Sequence, residues 1–154
     1  MDPDDFWKKD LLRASEDLLF SCFIDDPEGT PHQFSPSVSG IMTGHAYTVL
    51  KAVEFRGKRF LKIRNPWGDT EWTGRWSDGS KEWTKEWLEA LVPLEHSFGN
   101  DGMFIMEYSD FLTHWVGIER TQLFDPSWVQ SSHWLNVTCR PFPSAWQFGD
   151  VSCK

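Results

Sequence analysis

The sequence contains few cysteines, and those present match none of the common cysteine motifs. Its 154 residues include three, Cys22, Cys139 and Cys153, which lie far apart and form no CxxC pair. Zinc sites and redox pairs need such close spacing, and a disulfide framework normally uses an even number of cysteines. We therefore expect reduced thiols.

Long apolar runs and clusters of basic residues are also missing. No stretch has the roughly 20 apolar residues that a membrane-spanning helix needs, so we expect no membrane span. The net charge of −8, without a Lys/Arg cluster, would repel a phosphate backbone, which argues against a nucleic-acid partner. Residues 1–5 are acidic and lack the basic and apolar regions of a secretory signal, which predicts a cytoplasmic location.

Hydrophobic side chains, by contrast, are plentiful. They make up 40% of the residues, with 16% aromatic, which suffices for one packed domain. Apolar periodicity and turn residues predict both strands and helices, joined after residue 65 by an ordered loop rich in tryptophan. The predicted elements are strands at 18–24, 45–54, 58–65 and 102–108, a helix from Asp4 or Asp5 to about Ala14, a helix capped by Ser80 that carries Trp83, Trp87, Leu88 and Leu91 on one face, and a helix at 110–115.

A short connection joins the second and third predicted strands. The segment Phe55-Arg56-Gly57 suits a three-residue hairpin loop with Gly57 in the left-handed conformation, which would pair residue 54 with residue 58. The length of this loop decides the register of the whole hairpin, because each residue of slip moves every side chain to the other face of the sheet.

The predicted register brings two polar side chains together. Tyr47 would face Asn65 and Trp67 would face His45, so that His45 and Asn65 become diagonal neighbours on one face. Diagonal neighbours lie about 7 Å apart, within reach of each other once the strands twist. A slip by one residue would place the two side chains on opposite faces.

Three short strings surround these two residues. They are Gly44-His45-Ala46-Tyr47, Asn65-Pro66-Trp67-Gly68 and Glu71-Trp72-Thr73-Gly74-Arg75-Trp76-Ser77-Asp78. Each string alone is ordinary, because a histidine at a strand start is more often structural and Asn-Pro is a common turn signal. Their combination suggests chemistry.

The combination suits a thiol protease. Such an enzyme needs an imidazole that takes the proton from its cysteine, and a third polar group that orients the imidazole. An asparagine can accept a hydrogen bond from the ring N–H without attracting the proton, and a large apolar side chain over the pair would exclude water. Trp67, expected opposite His45, suits that shielding role.

These strings resemble the second subdomain of the calpain catalytic core, in which papain-like chemistry is divided between two subdomains. The resemblance covers about residues 6–118 and implies an α+β fold, that of a papain-like second subdomain with a twisted antiparallel sheet, short helices and long Trp-rich loops. It implies that His45 is the general base, that Asn65 orients it and that Trp67 shields the pair. The predicted strand at 18–24 is similar to a buried calpain strand with a structural cysteine.

The resemblance also divides the chain. We predict that residues 1–120 form the His/Asn subdomain of the protease core. Residues 121–154 would be a linker and the truncated start of the β-sandwich domain that follows the core in calpains.

The nucleophile of the family has no counterpart in the sequence. Calpains carry it in the preceding subdomain, in a Cys-Trp setting that no string here matches. Cys22 lies in an apolar strand, where burial would raise its pKa, and Cys139 and Cys153 lie in the tail. The resemblance therefore implies half of a calcium-dependent cysteine endopeptidase, inactive alone, whose partners are a cysteine-bearing subdomain and a protein or peptide substrate. The alternative is a non-catalytic module that binds calcium or a peptide.

The resemblance further implies a calcium site. Its ligands would be the carboxylates of Glu71, Asp78 and Asp101, with the backbone carbonyl of Trp67. Calcium prefers six to eight oxygen ligands. Where the family has a further glutamate, this chain has Met103, whose thioether calcium does not favour. The alternative is that the carboxylates are simply solvated beside a turn.

Overall fold

A computed structural model of the chain describes residues 2–26, 37–125, 127–129 and 131. Its elements in chain order are helix α1 (Pro3–Lys9), strands β1 (Leu18–Ile24), β2 (Ser37–Val38), β3 (Ile41–Met42), β4 (His45–Phe55) and β5 (Lys58–Arg64), helix α2 (Leu91–Leu94), strand β6 (Met103–Glu107), helix α3 (Tyr108–His114) and strand β7 (Gly117–Gln122). The mixture of antiparallel strands and short helices confirms the predicted α+β fold. The predicted β-sandwich segment lies almost entirely outside the described residues.

Five strands form one antiparallel sheet. Their order is β6-β5-β4-β1-β7, so the long strand β4 lies at the centre, while β2 and β3 form a separate pair. Strand β7 was not predicted. Its residues Gly117–Gln122 are half-buried or exposed at the sheet edge, so they carry little of the apolar alternation that reveals a strand in sequence.

The main core lies on one face of this sheet, between the strands and the helices α1 and α3. Trp7 and Leu11 are fully buried there, as the predicted helix pattern required. The helix itself begins earlier than predicted, because Asp2 is the N-cap: its carboxylate accepts from the Asp5 N–H at 2.9 Å, and Pro3 occupies the first turn. It also ends earlier, at Lys9, and a 3-10 turn continues to Arg13.

A second, smaller core lies on the opposite face of β5 and β6. Phe60 and Ile105 project into it from the strands, and the loop after β5 covers them. Its buried members are Phe60, Trp76, Trp83, Ala90, Leu94 and Ile105. This cluster explains how a long loop without regular structure remains ordered, since large aromatic side chains bury much surface per residue.

The helix predicted to begin at Ser80 is wrong. Residues 81–87 form turns, and helical structure begins only at Leu88 as a 3-10 turn that leads into α2. Two tryptophans and a threonine give this segment a low intrinsic helix propensity. The Trp83 indole N–H instead donates to the carbonyls of Trp76 and Ser77, at 3.2 and 3.0 Å, which holds the chain in a tighter path.

The hairpin between β4 and β5 differs from the predicted one. Its loop has two residues, Arg56 and Gly57, both with positive φ (48° and 78°), as the tight primed turns require. Phe55 therefore pairs with Lys58, which is one residue out of the predicted register. The three-residue loop was a wrong prediction.

A β-bulge at Leu50 corrects this difference. The register shifts between Val49 and Lys51, and beyond the bulge Val49 pairs with Ile63, as predicted. The Leu50 carbonyl accepts a hydrogen bond from the Ser15 hydroxyl at 2.7 Å, which ties the bulge to the segment after α1. The predicted register is thus right near His45 and Asn65, although the turn that was thought to set it is not.

We expect deletion of Leu50 to leave the pairing of His45 and Asn65 intact. Lys51 and Val49 would keep their partners on β5, and the β1–β4 ladder, which uses residues 45–49, would be unaffected. Loss of the Ser15 bond should cost about 1 kcal/mol of unfolding free energy. Ring nitrogen NMR shifts of the histidine would report the pairing. Deletion of Thr48 is the contrast, because it moves His45 to the opposite face, and equal spectra for both deletions would contradict the register argument.

Candidate active site

The structure brings His45 and Asn65 together. His45 opens β4 and Asn65 follows β5 directly, and the two side chains meet on the main-core face of the sheet. The His45 Nε2 lies 2.9 Å from the Asn65 Oδ1. Asn65 is fully buried whereas His45 is half-buried, so the imidazole is the member of the pair that remains accessible.

Neighbouring backbone groups determine which way the Asn65 amide points. Its Nδ2 donates to the carbonyl of Asp69 and to the Thr70 hydroxyl, the latter at 2.8 Å. Its Oδ1 accepts from the Trp67 backbone N–H at 3.1 Å. A carbonyl can only accept and a backbone N–H can only donate, so the flipped amide would lose both bonds. Thr70 was missed in the sequence, where nothing distinguishes it from other loop hydroxyls.

This orientation also decides the tautomer of His45. Because the Asn65 Oδ1 is an acceptor only, the His45 Nε2 must donate to it. In the neutral ring, Nδ1 then carries the lone pair. Asn65 therefore leaves Nδ1 as the atom through which His45 can accept a proton.

Trp67 covers the pair. Its ring centroid lies 4.0 Å from that of His45, with 32° between the planes, and 49% of the residue is exposed. Because β5 ends at Arg64, Trp67 reaches His45 from a turn, within the loop that was predicted to follow the strand. Below the imidazole, the buried Tyr47 makes an edge contact at 5.1 Å, and its hydroxyl accepts from the Met42 N–H.

Cys22 is buried within the sheet, where it pairs with Tyr47 across the β1–β4 ladder. Burial raises the pKa of its thiol well above the ordinary value, as the apolar strand led us to expect. A protonated, enclosed thiol is a poor nucleophile. Cys139 and Cys153 lie outside the described residues.

Gly102 joins the site to the loop before β6. The Asn65 backbone N–H donates to the Gly102 carbonyl at 2.7 Å. A Cβ at this glycine would lie 2.8 Å from the Gly68 Cα and 2.9 Å from the Asn65 carbonyl oxygen, and its φ is +80°. Only glycine fits such a close crossing of two backbones.

The carboxylates predicted to bind calcium lie on the two loops that this crossing joins. One Glu71 oxygen accepts from the backbone N–H groups of Asp101 and Gly102, at 2.9 and 2.8 Å. The Asp101 carboxylate accepts from the N–H of Met103 at 2.9 Å. Asp78 meets the buried His96 Nε2 at 2.7 Å and the Gly99 N–H at 2.9 Å.

In this arrangement the donor set does not fit calcium. One Glu71 carboxylate oxygen and both Asp78 carboxylate oxygens already accept hydrogen bonds from protein donors, and the Met103 side chain brings no oxygen. Within the part of the chain that the structure describes, no three His, Cys, Asp or Glu side chains are grouped so that they could hold a metal ion. The ligand roles of these residues and of the Trp67 carbonyl stay predictions.

Comparison with known proteins identifies the family. The model of the calpain family of cysteine proteases matches residues 1–122. The chain belongs to the calpain family. Calpain-9 from Rattus norvegicus is 40% identical over 124 residues, and the plant calpain-type cysteine protease DEK1 from Zea mays is 39% identical over 128 residues.

These relatives are much longer proteins. The matched segments cover 76% and 82% of this chain but only 17% of calpain-9 and 6% of DEK1. The chain therefore corresponds to a small part of either calpain. None of the helices in the described ranges is long and apolar enough to cross a membrane.

A buried carboxylate that the sequence did not reveal anchors the Trp-rich loop to the sheet. Glu107, at the end of β6, accepts from Lys58 at 2.7 Å, from the Trp76 indole at 2.9 Å and from Arg75. Burial alone would raise the pKa of this carboxyl, but the bonds from Lys58 and Trp76 and the charges of Lys58 and Arg75 outweigh it and hold the pKa below its usual value.

We expect Glu107→Gln to lower the unfolding free energy at pH 7 by about 1–3 kcal/mol, because Lys58 and Arg75 lose the negative charge and one of the two acceptor oxygens of their buried partner. A depressed folded-state pKa means that the stabilisation is present above the unfolded value, near 4.3, and is lost as pH falls through the folded value. The difference from the unmodified chain should therefore shrink below about pH 4. Denaturant unfolding at pH 7 and pH 3.5 measures this, with the exposed Glu16→Gln as control. A difference independent of pH would contradict the ion-pair account.

Proposed function

We propose that this chain supplies the His/Asn half of a calpain-type cysteine endopeptidase site. His45 is the general base, Asn65 orients it and Trp67 shields the pair from water. The observation that carries this proposal is the 2.9 Å contact between His45 Nε2 and an amide whose orientation is determined by its neighbours. Calpain membership supports the reaction class.

In a complete site the His45 Nδ1 takes the proton of a cysteine thiol, which leaves a thiolate beside an imidazolium. The thiolate attacks the scissile carbonyl, and the same nitrogen returns the proton to the leaving amine when the C–N bond breaks. The Asn65 amide is too weak a base to remove the Nε2 proton. It therefore holds the ring in one tautomer throughout, and it stabilises the imidazolium by accepting from it.

The cysteine would come from a separate protease subdomain. Cys22 is enclosed in the sheet, and its neighbours do not lower its pKa. The half-buried His45 and the half-exposed Trp67 offer a surface on which a cysteine-bearing subdomain can complete the site around a peptide. The cytoplasmic location and the absence of a nucleic-acid partner remain predictions.

We propose in addition that the loops beside this half-site bind calcium only weakly. The predicted ligands lie on adjoining loops, yet each of the three carboxylates already accepts a hydrogen bond through at least one oxygen, and one carboxylate of the family is replaced by Met103. We expect weak calcium binding, with a dissociation constant above about 10⁻⁴ M, because affinity follows the number and charge of the ligands.

We expect residues 1–154 alone to show no peptidase activity, with or without calcium, because a base and its orienter cannot replace the attacking thiolate. Casein cleavage measures this. Cleavage that a thiol-directed inhibitor blocks and Cys22→Ala abolishes would contradict it. The control is His45→Ala, which should lower the unfolding free energy by less than about 3 kcal/mol, the size that marks disruption of a core.

A separately produced cysteine-bearing subdomain from a calpain should restore some thiol-dependent cleavage when mixed with this chain. General-base catalysis contributes roughly 10²–10⁴-fold, so His45→Ala should remove nearly all of the restored rate. Asn65→Ala should lower the rate more than it lowers association, measured by calorimetry, because its role is orientation. Association without activity, unchanged by His45→Ala, would favour the alternative of a binding module that does not catalyse.

A further inference from the structure

We infer that Glu71 is a positioning residue: it holds the catalytic pair in place through a relay of hydrogen bonds that needs no metal ion. The relay runs from Glu71 through Gly102 to Asn65 and ends at His45. The inference rests on the proposed function, because it concerns the same pair, but its geometry stands on the described residues alone.

The relay begins at one carboxylate oxygen. The Glu71 Oε1 accepts from both the Asp101 and the Gly102 N–H groups, at 2.9 and 2.8 Å. Two adjacent N–H groups that converge on one charged acceptor form a strong contact, because bonds to ionised groups exceed neutral ones. The loop before β6 is thereby fastened to the loop after β5.

Gly102 passes this constraint to the site. Its N–H binds Glu71 while its carbonyl accepts from the Asn65 N–H at 2.7 Å. Its backbone also crosses Gly68 so closely that no Cβ would fit. A single residue therefore contacts Glu71 on one side and the backbone of Asn65 on the other, with little room to move.

Asp78 makes a similar contact with the beginning of the same loop before β6. Its two oxygens meet the His96 Nε2 and the Gly99 N–H, and the His96 side chain is only 1% exposed. The segment 96–102 is thus held at both ends by carboxylates of the preceding loop. Both carboxylates were predicted as calcium ligands, and in this structure both accept hydrogen bonds from protein donors.

At the Glu71 Oε1, calcium would compete with these two donors for the same electron pairs. Each carboxylate oxygen has about two lone-pair sites, and the two N–H groups occupy those of the Glu71 Oε1. The relay therefore assembles His45 and Asn65 without the ion. Met103, in place of a further carboxylate, removes a reason for calcium to displace the bonds.

Glu71→Gln and Glu71→Ala distinguish the role of Glu71 as a hydrogen-bond acceptor from its predicted role as a calcium ligand. The glutamine carbonyl can accept both N–H groups but lacks the charge that calcium needs, whereas alanine can do neither. The relay predicts that Gln preserves, and Ala loses, two NMR signals of the unmodified chain: the slow hydrogen exchange of the Gly102 and Asn65 amides and the ring nitrogen shifts of His45. We expect exchange to quicken about tenfold in the alanine variant, as loss of roughly one hydrogen bond implies.

Addition of a chelator provides the second arm of the test. EDTA should change neither signal. The matched control for the alanine variant is Glu86→Ala, which removes an exposed carboxylate from the same loop. The inference is wrong if Gln behaves like Ala, or if EDTA alone quickens exchange and added Ca²⁺ slows it. Should Glu71→Ala not fold, the glutamine variant and the EDTA arm still decide. All readouts use the isolated chain, so they remain valid if completion in trans fails.

Discussion

The amide of Asn65 is the group on which the site depends, because it is fully buried and each of its polar atoms needs a partner. Its oxygen serves His45 and the Trp67 N–H, and its nitrogen serves the loop at Asp69 and Thr70. A buried amide left unpaired would cost about 1–3 kcal/mol. The bonds that satisfy this amide therefore both hold the loop and orient the imidazole.

The rest of the fold can be understood as support for that amide. The central strand β4 carries the histidine, and the bulge at Leu50 keeps it on the same face as Asn65 despite the two-residue turn. The second core and the buried Glu107 hold the Trp-rich loop against the sheet from the opposite side. The loop before β6 meets the site through Gly102. Because both faces of the sheet are packed, His45 and Asn65 have little freedom to move relative to the rest of the fold.

In this calpain-family chain, the pairing of the histidine with the asparagine and the catalytic activity are separate properties. The pairing of His45 with Asn65 is local to one half of the proposed site, whereas catalysis would need a thiolate from another part. Calcium is a third, separable property, because the carboxylates that would bind it already contact protein groups. The half-site can therefore be preorganised and yet have no activity of its own, and its chemistry would depend on a partner surface.

The sequence by itself predicted the pairing of His45 with Asn65, the α+β fold and the burial of Cys22, because strand patterns and short motifs are local properties of the chain. It also predicted the register near His45, although for the wrong reason. Only the tertiary structure decided the bulge at Leu50, the turns in place of a helix after Ser80 and the occupation of Glu71 by backbone N–H groups. Each of these arises from contacts between segments distant in sequence, where packing and hydrogen bonding outweigh local propensity.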